Sequence, residues 1–213
     1  MCVIILTSTV FVKRNIDCIH QINPTERINT YVYSVKKWLY NTNFKILLVE
    51  NSGYLFPELE NEKVLFNNRF EIISFNEKDS IESNYYNTHQ LSSKGLSELF
   101  SINYAFFHSK LIKPTDFIIK ITARFFIDEL ENYLSQYDLN EYDCLTQNNR
   151  DRCEMVGCHF NYFYDIFNIH IFHSQVEIVY KERTSQLKKI LTCKVFNIEE
   201  TQRGGLPEKF NTI

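Results

Sequence analysis

FIIKITARFFID, residues 117–128, decides the fold class of this chain. The apolar run Phe117 to Ile121 has strand length. It stops at Thr122, Ala123 and Arg124, and Asp128 then opens a short helix, DELENYLSQ. Side chains alternate along a strand with period two, so Lys120, Thr122 and Arg124 are predicted to share one face. Two cations and a hydroxyl at the end of a buried strand call for an anionic partner.

Upstream, CVIILTSTV (2–10), FKILLVENSG (44–53) and FEIISF (70–75) are also buried runs of strand length. Between the first two lies NPTERINTYVYSVKKWL. Asn23 can cap this helix, Pro24 suits its first position and Glu26 completes a capping box. Ile28, Val32, Val35 and Leu39 recur at helical spacing. Strand, helix and strand in this order predict a right-handed βαβ unit and a largely parallel sheet. A helix over about 93–109, a strand at YDCLTQ (142–147), the charged loop NNRDRCE, the aromatic MVGCHFNYFYDIF, a helix over about 174–191 and the tail TQRGGLPEKFNTI complete the chain. No repeat, low-complexity segment or linker interrupts it. The expected fold is a single α/β domain over 1–213, with a mostly parallel sheet of about six strands flanked by helices.

The bulk composition narrows the partners. At 213 residues, 44% hydrophobic and 15% aromatic, the chain can bury one sizeable core. A formal net charge of -3 gives no general attraction to nucleic acid or anionic membrane, so any anion site must be built locally. No apolar run is long enough to span a bilayer, and no secretory leader pattern is present, so a cytoplasmic protein is expected. The six cysteines include no CxxC pair and are expected to be reduced thiols. Cys153, Cys158 and His159, with His170 or His173, have a poor zinc spacing, and no metal site is predicted from them.

Three strand ends carry polar groups: Thr7-Ser8-Thr9, Glu50-Asn51-Ser52 and Thr122-Ala123-Arg124. In an open parallel sheet such carboxyl ends face one crevice, where ligands bind. SSKGLSE (92–98) opens a helix whose free N–H groups favour an anion. Lys94 in its first turn makes sense if a bound anion meets both, and Gly95 would let a ligand approach the backbone. Arg203-Gly204-Gly205 is a further candidate to close over a phosphate. Neither GxxxxGK[ST] nor GxGxxG occurs, so P-loop and dinucleotide sites lose their usual support.

The order ILTST, helix, ILLVENSG, loop, SKGLSE and DFIIKITARF resembles the nucleotide-sugar-dependent glycosyltransferases of the GT-A type. The likeness covers about residues 2–130 and runs to virus-encoded members that glycosylate a major capsid protein, which implies the infected host cytoplasm as location. It implies a UDP-sugar donor, of UDP-glucose or UDP-rhamnose type, and a glycan or glycoprotein acceptor. Residues 1–125 become the nucleotide-sugar-binding half and 126–213 the acceptor half, whether the chain is whole or one domain of a longer protein. By position, Thr7 and Ser8 would lie beside the base or ribose, Glu50 and Asn51 near the uridine, and Lys94 at the ribose or diphosphate. Most members hold Mn or Mg with a D-x-D pair where this chain has Thr122-Ala123-Arg124. Arg124, as a bidentate fork, and Lys120, as a point charge, are therefore expected to stabilise the leaving diphosphate, with no metal cofactor required. Asp79 and Asp128 are the nearby acids that would rescue a metal site, and an ion pair with Asp128 is the structural alternative for Arg124. The base that takes the acceptor proton is expected among Asp151, Glu154, Asp165 and Glu177, with Glu177 preferred and Asp165 suited if burial raises its pKa. Tyr162, Phe163 and Tyr164 are a possible sugar-stacking platform. A nucleotidyltransferase, or a nucleotide-sugar-binding domain without turnover, are the alternatives.

Overall fold

The first apolar run of the chain, β1 (Cys2–Ser8), pairs in parallel with β2 (Lys45–Glu50) on one side and with β4 (Phe117–Thr122) on the other. β3 (Phe70–Ser74) extends the sheet beyond β2, also in parallel. Beyond β4 lie β6 (Met155–His159), β5 (Cys144–Thr146) and β7 (Ile190–Thr192), giving seven strands in the order β3-β2-β1-β4-β6-β5-β7. The sheet is thus one strand larger than the expected six. Only β6 runs against its neighbours, antiparallel to both β4 and β5. These features belong to a computed structural model that describes residues 2–12, 21–77, 79, 94–148, 152–170, 175–202 and 208–213.

Alternation along β1 sorts the core into two layers. Ile4 and Leu6 face α1 (Pro24–Asn41), packing with Tyr31, Val35, Trp38 and Leu39. Val3 and Ile5 face α3 (Lys94–His108), packing with Leu99 and Ile102. α1 begins as its sequence dictates: Asn23 accepts a hydrogen bond from the Thr25 N–H at 2.9 Å, and Pro24 fills the first helical position. Shorter helices α2 (Glu60–Leu65), α4 (Leu130–Leu134) and α5 (Phe163–Phe167) fill connections, and α6 (Val176–Ser185) joins α3 on its face of the sheet.

α6 ends at Ser185, earlier than the periodicity suggests. The Asp143 carboxylate accepts from the Lys188 and Lys189 N–H groups, at 3.1 and 3.0 Å, and turns the chain so that Ile190–Thr192 pairs with β5. The last elements, β8 (Asn197–Gln202) and β9 (Lys209–Thr212), form a separate antiparallel pair. Glu199 of β8 fastens it to α1 through Lys37 and Tyr33. No helix among the described residues is long and apolar enough to cross a membrane.

Candidate active site

The carboxyl ends of β1, β2 and β4 meet as expected, but their side chains divide into scaffold and open groups. Glu50 is fully buried. Its Oε1 accepts from the Val10 N–H at 2.9 Å and from the Ser52 hydroxyl, and its Oε2 accepts from the Ser52 and Tyr54 N–H groups at 2.9 and 2.8 Å. Ser8 donates to the Val49 carbonyl at 3.0 Å. Glu50 thus braces the turns that follow β1 and β2, with both of its oxygens used inside the fold, and Ser8 ties β1 to β2 through its hydroxyl hydrogen. Asn51 lies at the crevice in a polar network. It accepts from Thr9 at 2.7 Å and donates to Ser97 at 3.1 Å and Glu77 at 3.4 Å, while Ser97 donates to Glu77 at 2.5 Å.

On β4 the shared basic face does not form. Lys120 is 1% exposed. Its Nζ lies 2.8 Å from Glu98 Oε1 of α3 and donates to the Cys153 carbonyl at 2.6 Å. Burial alone would lower its pKa, but the Glu98 carboxylate outweighs this and raises it. Lys120 therefore already has its anion within the chain and is not a free diphosphate ligand. Thr7 donates to the same Glu98 oxygen at 3.0 Å. Beyond Thr122, whose N–H donates to the Glu154 carbonyl at 3.1 Å, the strand ends in a turn closed by Phe125 N–H on the Thr122 carbonyl at 3.0 Å. Period-two alternation stops there, and Arg124 goes instead to the side of α1.

Arg124 is 8% exposed. Its Nη1 donates to the Gln202 carbonyl of β8 at 3.2 Å, and its Nε is buried with no hydrogen-bond partner. Beside it is Arg27 of α1, also buried, whose three donor nitrogens reach the Thr9 carbonyl at 2.6 Å, the Gln21 carbonyl at 2.8 Å and the Tyr31 hydroxyl at 2.7 Å. Burial pushes the Arg27 pKa down, and the Arg124 guanidinium pushes in the same direction. Neither arginine has an ion pair among the described residues, and the alternative pairing of Arg124 with Asp128 is not formed. The Glu50 carboxylate and the Tyr31 hydroxyl act on Arg27 in the opposite sense, and the two buried cations, held by carbonyls without an ion pair, stand at the ends of β1 and β4.

The start of α3 also differs from expectation. Lys94 is exposed at its first position. Gly95, however, faces α6: a Cβ there would stand 2.5 Å from Val176 Cβ. The glycine lets two helices approach, so the space expected for a ligand holds a valine. Gly95→Ala is expected to cost about 1–3 kcal/mol by overpacking, measured as a lower midpoint in urea unfolding. An unchanged midpoint would show that the helices separate freely.

The candidate bases also separate. Because β6 is antiparallel to β4, Met155 lies opposite Ile121 at the crevice and His159 opposite Phe117 at the far edge. The chain therefore carries Tyr162, Phe163, Tyr164 and Asp165 away from the crevice. α5 packs on the last turns of α3, where Phe163 stacks on Phe106 with centroids 3.6 Å apart, and Asn103 donates to the Phe167 carbonyl at 2.6 Å. Asp165 is exposed there, without the burial its base role required. The aromatic segment is packing, not a platform at the site. Glu154 precedes β6 at the crevice, and Glu177 stands exposed in the first turn of α6. Asp151, Arg203 and His173 lie outside the described residues. Glu98 and Arg27 lie against the ends of β1 and β4 with no signal in the sequence to mark them: each looks like an ordinary helix-face residue until the fold sets it against a distant strand.

The side chains ending β4 do not fit a divalent metal held in the D-x-D manner. Positions 122–124 carry no carboxylate, Asp128 and Asp79 are exposed, and Asp79 accepts from Asn76 at 2.8 Å. Among the described residues no three His, Cys, Asp or Glu side chains are grouped to hold a metal ion. Cys153 and Cys158 are buried free thiols whose pKa values burial raises, in keeping with the expected structural role.

No family model matches the chain, and no curated protein matches it in sequence. Solved structures do match in shape. An active-site mutant of LgtC superposes with a TM-score of 0.50 at 6% identity, over 90% of this chain and 72% of LgtC. The glycosyltransferase GlyE of Streptococcus pneumoniae TIGR4 superposes with a TM-score of 0.51 at 10% identity, over 91% of this chain. The chain spans 45% of GlyE. Across its seven-stranded sheet and flanking helices, the chain has the GT-A fold of the nucleotide-sugar glycosyltransferases.

Proposed function

We propose that the protein is a glycosyltransferase that moves a sugar from a UDP-sugar, of UDP-glucose or UDP-rhamnose type, to a glycan or glycoprotein acceptor. A viral capsid glycoprotein is the acceptor that the sequence resemblance suggests. The observation that carries this reading is the Arg27 and Arg124 pair at the carboxyl ends of β1 and β4, where a GT-A fold leaves its ligand crevice. When the bond from the sugar C1 to the phosphate oxygen breaks, its electron pair goes to the diphosphate. Arg124 meets that charge with the 8% of its surface that remains exposed, and low dielectric strengthens the contact. Arg27 adds a second buried positive charge, with three of its five N–H donors held by the Thr9 and Gln21 carbonyls and the Tyr31 hydroxyl. Glu177 is assigned as the base that receives the acceptor hydroxyl proton as that oxygen attacks C1. Thr7, Asn51, Lys94 and Thr122 line the donor side.

Transfer is assigned to arginine rather than to a divalent cation. Chelation with EDTA is expected to change turnover by less than about twofold, where a metal that supplies Lewis acidity would be worth orders of magnitude. The measurement is UDP release with UDP-glucose and UDP-rhamnose, with and without EDTA, alongside calorimetric titration with UDP. Activity abolished by EDTA and restored by Mn would overturn the metal-free assignment. Tight UDP binding without turnover, given suitable acceptors, would make this a nucleotide-sugar-binding domain.

A further inference from the structure

Two buried cysteines face each other across the β5–β6 pair, away from the crevice and outside the proposed transfer. Cys144 lies directly opposite Cys158 in the antiparallel register. Opposed residues point to the same side of a sheet, here the side of α3 and α6, and both cysteines are fully buried in that layer. Both are free thiols.

Hydrogen bonds on both sides of β6 fix the kind of pairing. In an antiparallel ladder, opposed residues alternate between pairs that exchange backbone hydrogen bonds and pairs that do not, and the second kind bring their Cα atoms to about 4.5 Å. The His159 N–H donates to the Asp143 carbonyl at 3.0 Å, so the next pair along, Cys144 and Cys158, is of the second kind. β4 gives the same answer from the other side. There the Phe160 N–H donates to the Asp116 carbonyl at 3.0 Å and the Thr122 N–H to the Glu154 carbonyl at 3.1 Å, and alternation between them turns the backbone groups of Cys158 toward β4. A Cα separation of about 4.5 Å with the Cβ atoms on one side lies inside the range of about 4.4–6.8 Å that a disulfide spans. Among the described residues no other two cysteines are so placed. Cys2 and Cys193 belong to the layer on the α1 side of the sheet. Cys153 shares the layer of Cys158 but precedes β6, about 16 Å away along an extended chain.

We propose that Cys144 and Cys158 are the site of a cross-strand disulfide, formed when the chain folds in the presence of a small-molecule disulfide and without any change of strand register. The thiolate of one cysteine attacks the small disulfide, releases one thiol and leaves a mixed disulfide. The second thiolate then attacks the protein sulfur, closes the S–S bond and releases the second thiol. Two protein thiols lose two protons and two electrons, and the small disulfide takes up both. The reaction belongs to folding rather than to the finished fold. Once the layer is packed, both sulfurs are out of reach, and burial raises the Cys158 pKa well above its ordinary value and suppresses the thiolate. The same burial then shields the bond from reductants. In reducing surroundings the two remain thiols, and Cys144 donates weakly to the Thr184 carbonyl of α6 at 3.9 Å. The fold is complete in either state, so stability is what the bond changes: it closes a loop in the unfolded chain and leaves the folded pair as it is.

The test refolds the full chain from urea in two buffers, one with oxidised and reduced glutathione and one with excess dithiothreitol. With glutathione, the intact mass is expected to be about 2 Da lower, the two hydrogens lost on closure. A digest made without reduction should contain the Cys144 and Cys158 peptides joined. The urea midpoint should lie about 1 M above that of the dithiothreitol sample. In Cys144→Ala the two buffers should give the same midpoint; each variant is compared with itself, so the cost of the smaller side chain cancels. Should that variant not refold, the mass and the digest of the wild-type chain decide. Cysteines that remain thiols with glutathione, stop at a glutathione adduct or join in any other pairing overturn the proposal. A Cys144–Cys158 protein whose midpoint is at or below that of the reduced protein overturns it as well, because the strands would then have to distort to accept the bond.

Discussion

Arg124→Ala is expected to lower UDP-sugar turnover by about 10²–10³-fold while leaving the fold intact. The two halves of this statement have separate causes. The guanidinium contributes little to the folded state: one hydrogen bond, from Nη1 to the Gln202 carbonyl at 3.2 Å, worth about 1 kcal/mol. Against that stands the burial of a charge beside a second buried arginine, which acts on it unfavourably, with no ion pair on Arg124 itself among the described residues. Removing Arg124 relieves that repulsion, so the unfolding midpoint should change little or rise. Its loss should be felt where negative charge develops, as the diphosphate leaves. Arg124→Lys keeps the charge but loses the planar fork, and should recover only part of the activity. The measurements are steady-state turnover and thermal unfolding on the same preparations. Turnover that survives Arg124→Ala would remove the arginine from the chemistry, and a collapsed fold would make it a structural residue.

Glu50→Ala is expected to produce the largest loss of stability, about 3–5 kcal/mol, which is a large part of the total for a domain of this size. Three backbone N–H groups, of Val10, Ser52 and Tyr54, converge on this fully buried carboxylate. Alanine would leave the Ser52 and Tyr54 N–H groups without an acceptor, leave Val10 only its longer bond to the Ser52 hydroxyl at 3.2 Å, and open a cavity beneath two turns. Glu50→Gln should fall between, since one acceptor oxygen becomes a donor facing donors. Urea unfolding reads the effect. A Glu50→Ala protein within about 1 kcal/mol of wild type would mean that water reaches these N–H groups and that the turns are not braced from within.

Much of this architecture is legible in the one-dimensional chain, for a simple reason. CVIIL, FKILLV and FIIKI are apolar but for Lys45 and Lys120, which is the pattern of strands covered on both faces, and the helix between the first two carries an apolar stripe. The convergence of their polar ends follows from parallel pairing. Local signals did less well wherever a remote partner intervened. Lys120 reads as a cation awaiting an anion, and its anion is Glu98 on a helix that precedes it. Gly95 reads as an opening for a ligand, and Val176, eighty-one positions later, fills it. Asp165 reads as a buried acid near a sugar, and the antiparallel run of β6 carries it to the opposite edge.

The residues alone determined a parallel α/β sheet, a crevice at its carboxyl ends, and the absence of a D-x-D pair at the end of β4. These depend on hydrophobic period and residue type, which short stretches of chain carry in full. Which charges are free in that crevice was decided only by tertiary structure. A side chain's role depends on whether its counter-charge is already inside the fold, and that is a property of contacts between residues far apart in sequence. By that measure Lys120 and Glu50 belong to the scaffold, while Arg124 keeps a buried Nε without a hydrogen-bond partner.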